Sequence, residues 1–348
     1  MVLRVGIVGT GYAAAKRAEA VASGMPSAAG DVRTRLVAVA GTPDRAQVIA
    51  QQHGAKAMVD WRRLLAEESV DLVIVATVNA YHGEVVAAAL QAGRHVVVEY
   101  PLALDVAQAQ ALVKLAANQQ RLLHVEHIEL LGGLHQAAKA YLAQVGQIES
   151  ARYTTLAPQH PAPKKWSYQI ALSGFPLVSA LSRVSRLVDL FGRVTAVTCQ
   201  SQFDGGRQDM GRLRPVGDAY YRACLCEATL RFACGVTAAL VYGKGERDWA
   251  RTRRLEIVGT RGQLHFDGDQ GYLRQSVLPG AASAQQAIAV KPRRGLFRQD
   301  TQQVVGHLLE GTPLWPPLSH SLYALTVADA LRRSAETGRE IRLDDAPK

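Results

Sequence analysis

Val5-Gly6-Ile7-Val8-Gly9-Thr10-Gly11-Tyr12-Ala13-Ala14 is the stretch that decides how the rest of the chain reads. An apolar run from Val2 to Val8 predicts a buried strand, and Ala13 to Ala22 predicts a helix. Between them lies Gly9-x-Gly11-x-x-Ala14, the strand–turn–helix setting a dinucleotide fingerprint requires. Gly9 permits the tight turn, Gly11 lets backbone approach a pyrophosphate, and Ala14 is small enough for the helix to pack on the strand. Phosphates would sit on the helix N-terminus, where unpaired N–H groups and the dipole favour anions. The bland alternative is an ordinary βα turn, and the strand–helix units that follow argue against it.

Leu36 to Ala40 predicts a second strand, ending in Gly41-Thr42-Pro43-Asp44-Arg45. A carboxylate at this strand end commonly takes the ribose 2′-hydroxyl of NAD. Here the strand end has none, and Thr42 and Arg45 suit a 2′-phosphate better, so the expected cofactor is NADP(H). Arg45 as a solvated first-turn residue remains the alternative. Helices are expected at 44–52, 61–67, 83–92 and 106–119, and buried parallel strands at 72–77, 95–99 and 122–125. Ligands of doubly wound sheets bind beyond the C-terminal ends of such strands. The expected cofactor contacts are therefore Gly9, Thr10, Gly11, Tyr12, Ala13, Thr42, Arg45, Thr77, Asn79, His82, Glu99 and Tyr100. For His82 the alternative is helix capping, and for Tyr100 it is core packing.

This alternation gives an α/β Rossmann domain over 1–127. The texture then changes to α+β over 128–348, with C-terminal helices able to pack back on the first domain. Helices are expected at 130–142, 176–191, 296–309 and 319–336. Strands are expected at 150–155, 194–203, 224–232, 236–242, 254–258 and 263–266, separated by glycine turns that suggest a large, mostly antiparallel sheet. Segments 204–217 and 279–286 read as loops. Within 176–191, Leu177, Leu181, Val184, Val188 and Phe191 are the expected buried stripe, with Arg183 and Arg186 on a neighbouring face.

The 348 residues are 48% hydrophobic and 20% charged, a globular balance, with a formal net charge of +10. Such a surplus points to an acidic ligand or a polyanion. Nucleic acid is disfavoured, because Lys and Arg are scattered, aromatics are only 6%, and no helix-turn-helix or zinc-finger spacing occurs. No apolar run is long enough to span a bilayer, and the expected compartment is the cytoplasm. Cys199, Cys224, Cys226 and Cys234 lack CxxC spacing and fall in strand-like segments, so they read as reduced, buried thiols. His124-x-Glu126-His127 lacks a clear third ligand, so no metal is expected. Oligomeric state is not readable from the chain.

A Rossmann domain followed by a large open sheet resembles the glucose–fructose oxidoreductase and inositol dehydrogenase family. In that family a Glu-Lys-Pro follows the fifth strand, and its lysine assists catalysis at a sugar hydroxyl. This chain has Glu99-Tyr100-Pro101 instead. Four further stretches resemble the biliverdin reductases, especially the bacterial type: Glu99 to Leu104, His124 to Leu131, Gly174-Phe175-Pro176 with Ser182-Arg183-Val184-Ser185-Arg186, and Arg294 to Asp300.

That resemblance implies NADPH-dependent reduction of biliverdin, a linear tetrapyrrole, to bilirubin by hydride transfer to the C10 methine bridge. It makes Arg183 the key catalytic residue, stabilising charge or assisting protonation, with Tyr100 and Glu99 beside the nicotinamide. Arg183 on a surface salt bridge is the alternative. Arg183, Arg186, His127, Lys244, Arg251 and Arg294 are the expected substrate contacts, with a supporting or structural role the alternative for Arg186 and a structural role the alternative for His127. Arg253, Arg254, Arg293 and Arg298 are further candidates for the propionates. Competing readings are a sugar, polyol or imine oxidoreductase of the same superfamily, and a non-catalytic NADP-binding regulator.

Overall fold

The structure, a computed structural model, describes residues 2–24, 33–66, 70–205, 219–275 and 284–343. The chain divides into two compact units: Met1–Ile128 with Gly295–Tyr323, and Glu129–Arg294 with Ala324–Lys348. The expected second domain, 128–348, is thus interrupted by 295–323.

In the first unit, β1 (Leu3–Val8), β2 (Thr34–Ala40), β3 (Lys56–Met58), β4 (Leu72–Val75), β5 (His95–Val98) and β6 (Leu123–Val125) form one sheet. Its order is β3-β2-β1-β4-β5-β6, with every pairing parallel. The central strands are apolar without a break because both faces are covered: Leu72 to Val75 and Val96 to Val98 are all buried. The covering helices are α1 (Tyr12–Ala22), α2 (Pro43–His53), α3 (Trp61–Ala66), α4 (Asn79–Gln91), α5 (Val106–Asn118) and, from far along the chain, α11 (Leu296–Glu310), which packs on α1. Strand order reverses between β1 and β4, where doubly wound folds open a ligand crevice. Strand β3 escapes the sequence pattern because it is a three-residue, largely exposed edge. Helix α4 starts at Asn79, four residues before its expected start, so His82 lies inside its first turn.

The second unit is built on β7 (Ile148–Pro158), β8 (Val194–Asp204), β9 (Ala223–Phe232), β10 (Thr237–Gly245), β11 (Thr252–Gly259), β12 (Gly262–Asp267), β13 (Gln270–Gln275), β14 (Ala284–Ala289) and β15 (Ile341–Arg342). The order is β14-β13-β12-β11-β7-β10-β9-β8-β15. Among the described residues only the β7–β10 pairing is parallel. In β9, Cys224, Cys226, Ala228, Leu230 and Phe232 are buried and alternate with more exposed residues, so one face of the sheet is covered.

The helices of this unit are α7 (Gly133–Tyr141), α8 (Ile170–Ser173), α9 (Pro176–Ser179), α10 (Ser182–Phe191) and the end of α12 (Leu318–Thr337), while the unit boundary falls within α6 (Ile128–Leu131). Asp189 on α10 accepts from Lys139 Nζ at 2.9 Å and lies 2.9 Å from His135 Nε2, tying α7 to α10. The Ser334 hydroxyl on α12 accepts from the Cys199 backbone N–H of β8 at 2.9 Å.

Two expected helices are divided. The 176–191 segment breaks at Ala180 and Leu181 into α9 and α10, and all five residues of its predicted stripe are buried. The 130–142 segment breaks at Gly132, and α7 begins at Gly133, where a Cβ would come within 2.2 Å of the Lys291 carbonyl oxygen. Of the two predicted loops, 206–217 and 279–283 lie outside the described residues, whereas Asp204 belongs to β8 and 284–286 to β14. Cys199, Cys224 and Cys226 are buried as expected, but Cys234 is exposed in the turn between β9 and β10.

Candidate active site

In the first unit, β1 ends at Gly9, whose φ of 132° is closed to L side chains and whose added Cβ would meet the Ala76 carbonyl oxygen at 2.1 Å. β1 and β4 pair along Val5–Val8 and Leu72–Val75, and Gly9 lets their backbones stay close just past the strand ends. An added Cβ at Gly11 would meet nothing within 4 Å, so the backbone there faces open space. Gly11 caps α1 without a side-chain hydrogen bond, and the first turn holds no acidic residue. An uncapped, carboxylate-free helix start beside an open glycine fits a pyrophosphate. Thr10 and Ala13 are partly exposed beside it, and Tyr12 is 75% exposed with its ring edge-on to Phe297 at 6.2 Å. Thr42 caps α2, and both it and Arg45 are exposed.

At the next strand ends the side chains turn inward. His82 is buried, with Nδ1 2.8 Å from the Pro101 carbonyl and Nε2 3.2 Å from the Thr77 carbonyl. Burial keeps its imidazole neutral, so it donates to only one of the two. It clamps the loops after β4 and β5 to each other, at a position where a cofactor contact or a helix cap is expected. Asn79 is likewise buried, at the start of α4. Tyr100 is half-buried, stacked on His127 at 6.0 Å with an interplanar angle of 8°.

Behind these loops lies a buried charge network. Arg17 of α1 is fully buried, and its Nε donates to Glu99 at 2.9 Å. Its Nη1 donates to Asp300 of α11 at 2.5 Å and to the Thr301 hydroxyl at 3.2 Å. The other Asp300 oxygen lies 2.9 Å from His124 Nε2. Burial opposes charge on both partners, yet the pair outweighs it: Asp300 is held well below, and Arg17 above, its ordinary pKa. Glu126 goes the other way. Burial, then repulsion by Glu99, pushes its carboxyl well above the usual range, and one oxygen accepts from the Ile128 backbone N–H at 2.8 Å. Burial also depresses His127 to about 3, and its Nε2 lies 2.9 Å from the Ser321 hydroxyl. Glu99 thus anchors Arg17. His127, expected at the substrate, is an interior residue of the first unit.

The second unit gathers arginines on the helix-covered face of its sheet. Arg183 holds its guanidinium 5.5 Å over the Tyr242 ring, and its Nη1 donates to the Ser182 hydroxyl at 2.8 Å. Arg186, one turn on, is 1% exposed; it donates to the Tyr153 hydroxyl, to the Glu129 carbonyl at 3.0 Å and to the Glu129 carboxylate at 3.3 Å. Arg186, expected at the substrate or in a supporting or structural role, thus ties α10 to α6 and β7 within the second unit. Arg253 Nη2 stands 3.8 Å from the same carboxylate, and Arg293 donates to its other oxygen.

Lys244 of β10 is buried, donates to the Ser167 carbonyl at 2.5 Å and sits over Tyr168 and Tyr221 at 4.6 and 5.4 Å. Burial lowers it to about 8. Its ammonium, expected at the substrate, is here engaged within its own unit. Arg251 is exposed and donates to the Pro158 carbonyl at 3.3 Å, and Arg294 is exposed.

Residues 3–127 match the oxidoreductase family with an NAD-binding Rossmann fold, and residues 141–343 match its C-terminal alpha/beta domain. The chain belongs to this GFO/IDH/MocA oxidoreductase family. Within the family, it is similar to the crystal structure of biliverdin reductase in complex with biliverdin and NADP+ from Synechocystis sp. PCC 6803. The TM-score is 0.85 and the identity 44%, over 95% of this chain and 98% of that one. It is 37% identical to mouse biliverdin reductase A over 134 residues, which are 38% of this chain and 42% of that protein. The match thus spans less than half the length of that relative. Levoglucosan dehydrogenase of Pseudarthrobacter phenanthrenivorans is 26% identical over 338 residues, 90% of this chain and 83% of that protein.

Against this family background, the fingerprint loop and the arginines of α10 are readable from the sequence. Roles for Arg17, Glu126, Asp300 and Glu129 are not. For Arg17 and Asp300 a signal exists: each interrupts the apolar stripe of its helix, between Ala14 and Ala18 with Val21, and between Leu296 and Val304. Glu129 carries none.

Proposed function

We propose that this chain reduces biliverdin to bilirubin with NADPH: one hydride adds at C10, and one proton from solvent ends on a pyrrole nitrogen. The observation that carries the reading is the 44% identity, over 95% of this chain, to a reductase solved with biliverdin and NADP+. The residues fit. Bound NADPH supplies the hydride. The open backbone at Gly11 and the start of α1 hold the pyrophosphate, and Thr42 and Arg45 take the 2′-phosphate. Arg183, a permanent cation laid against Tyr242, stabilises negative charge developing on the pigment as hydride arrives. An arginine does this as an ion and keeps its proton. Tyr100, where a sugar dehydrogenase of this family would keep lysine, packs its ring on the neutral His127. A flat conjugated substrate suits that surface better than a polyol.

Mixing the protein with NADPH and biliverdin should bleach the blue-green band as a yellow one grows. An unchanged spectrum, with turnover of a polyol instead, would overturn the reading. Arg45→Ala should cut the preference for NADPH over NADH about tenfold or more, the worth of a charge-assisted hydrogen bond. An unaltered preference removes Arg45 from the 2′-phosphate site.

A further inference from the structure

Glu129 is a single carboxylate set among cations drawn from three distant parts of the second unit. Arg186 comes from α10, Arg253 from β11, and Arg293 from the segment before α11; Arg183 of α10 adds its field. Burial penalises the Glu129 charge, yet Arg186, Arg293, Arg183 and Arg253 together outweigh it and hold its carboxyl below the usual range. It therefore stays ionised at neutral pH.

The four cations are not equivalent. Arg186 is consumed by Tyr153 and by both the backbone and the side chain of Glu129. Arg183 lies against Tyr242. Arg253 and Arg293 keep side-chain exposures of 24% and 46%, against 12% for Glu129. A guanidinium has five N–H donors, and a contact to one carboxylate leaves others for a second anion. Four positive charges against one negative leave the cluster short of anions, and biliverdin brings two propionates.

We propose that Arg253 and Arg293, held in place by Glu129, receive the substrate's carboxylates. Glu129 is the positioning residue: it fixes two flexible side chains in advance, so that less ordering entropy opposes binding. This rests on the bilin reductase reading and narrows the propionate contacts to two of the many basic residues.

The test is equilibrium binding of biliverdin and of its dimethyl ester, followed by visible spectra without NADPH, alongside kcat and KM for both. The native protein should bind the diacid at least tenfold tighter than the ester. Arg253→Gln and Arg293→Gln should each bring that ratio toward one and raise KM for the diacid about tenfold, with kcat within a few-fold of native. Glu129→Gln, which keeps shape and loses charge, should weaken the diacid several-fold and leave the ester unchanged. A general structural role would instead weaken both alike.

Arginine variants that keep the native acid-to-ester ratio would overturn the inference while leaving the reductase reading intact. A protein that discriminates acid from ester through these two arginines but does not reduce the pigment would leave the receptor standing and sink the reductase reading.

Discussion

At the scale of single residues, the most exposed commitment is Arg183. If its charge stabilises the electron-rich intermediate, Arg183→Ala should lower kcat about 10²–10³-fold, the usual loss for one preorganised donor at developing charge. Arg183→Lys should recover only part of it, because an ammonium lacks the planar contact with Tyr242. Steady-state kinetics with biliverdin check both; an alanine variant with near-native kcat removes Arg183 from catalysis.

His127 offers a second prediction, of stability. Its folded pKa is about 3, below the 6.5 of a free imidazole, because burial disfavours its charge. A depressed folded pKa makes the unfolded chain bind the extra proton first. Stability is therefore complete above pH 6.5 and falls as pH drops toward 3, by up to about 1.4 kcal/mol per pH unit from this group. Denaturant midpoints measured from pH 7 to pH 4 should fall less steeply in His127→Asn than in the native protein.

Among the elements, the contact between α1 and α11 shows where sequence reading stops. The strands β4 and β5 are legible because a parallel sheet covered on both faces needs continuous apolar runs, which Leu72 to Val75 and Val96 to Val98 supply. The strands β13 and β14 are not: they are short, and in β14 residues such as Gln285 and Gln286 are exposed and carry no apolar alternation. The helical stripe of 176–191 is legible, whereas its break is not, since no glycine or proline marks Ala180 and Leu181.

The ion pair of Arg17 with Asp300 joins residues 283 positions apart, and no local pattern announces such a partner. Asp300→Asn strands a fully buried guanidinium with Glu99 as its remaining carboxylate bond, and should cost about 3–5 kcal/mol in denaturant unfolding. Replacing both partners together, Arg17→Met with Asp300→Leu, should cost less than the two single changes summed, because neither partner is left facing the other's empty place, although Glu99 still loses its guanidinium. A double variant as costly as that sum would refute the account.

For the molecule as a whole, the legible part of the candidate site is local and the illegible part is assembled. The loop around Gly9 and Gly11 and the Ser182–Arg186 segment each lie within a few residues, so their spacing can be read. The cluster on Glu129 brings together α6, α10, β11 and the segment before α11, and only folding does that. The expected substrate contacts His127, Arg186 and Lys244 prove to be buried for the same reason: sequence records that a residue is basic, and not which neighbours already occupy it.

Chain continuity also differs from unit continuity, since Gly295–Tyr323 completes the first unit after the whole of Glu129–Arg294 has intervened. A fragment ending at Ile128 lacks α11 and leaves Arg17 without Asp300. It should show no cooperative urea transition, whereas the full chain should; a sharp transition in the fragment, monitored by circular dichroism, would contradict this.

The return of α11 also has a consequence in time. A ribosome adding ~5–20 residues per second needs roughly a quarter of a minute to a minute to pass from Arg17 to Asp300. During that interval the nascent first unit carries an α1 face without α11 and an Arg17 answered by Glu99 alone. The unit begun first is therefore completed only when Gly295–Tyr323 has been added, with Ala324–Lys348 of the second unit still to follow.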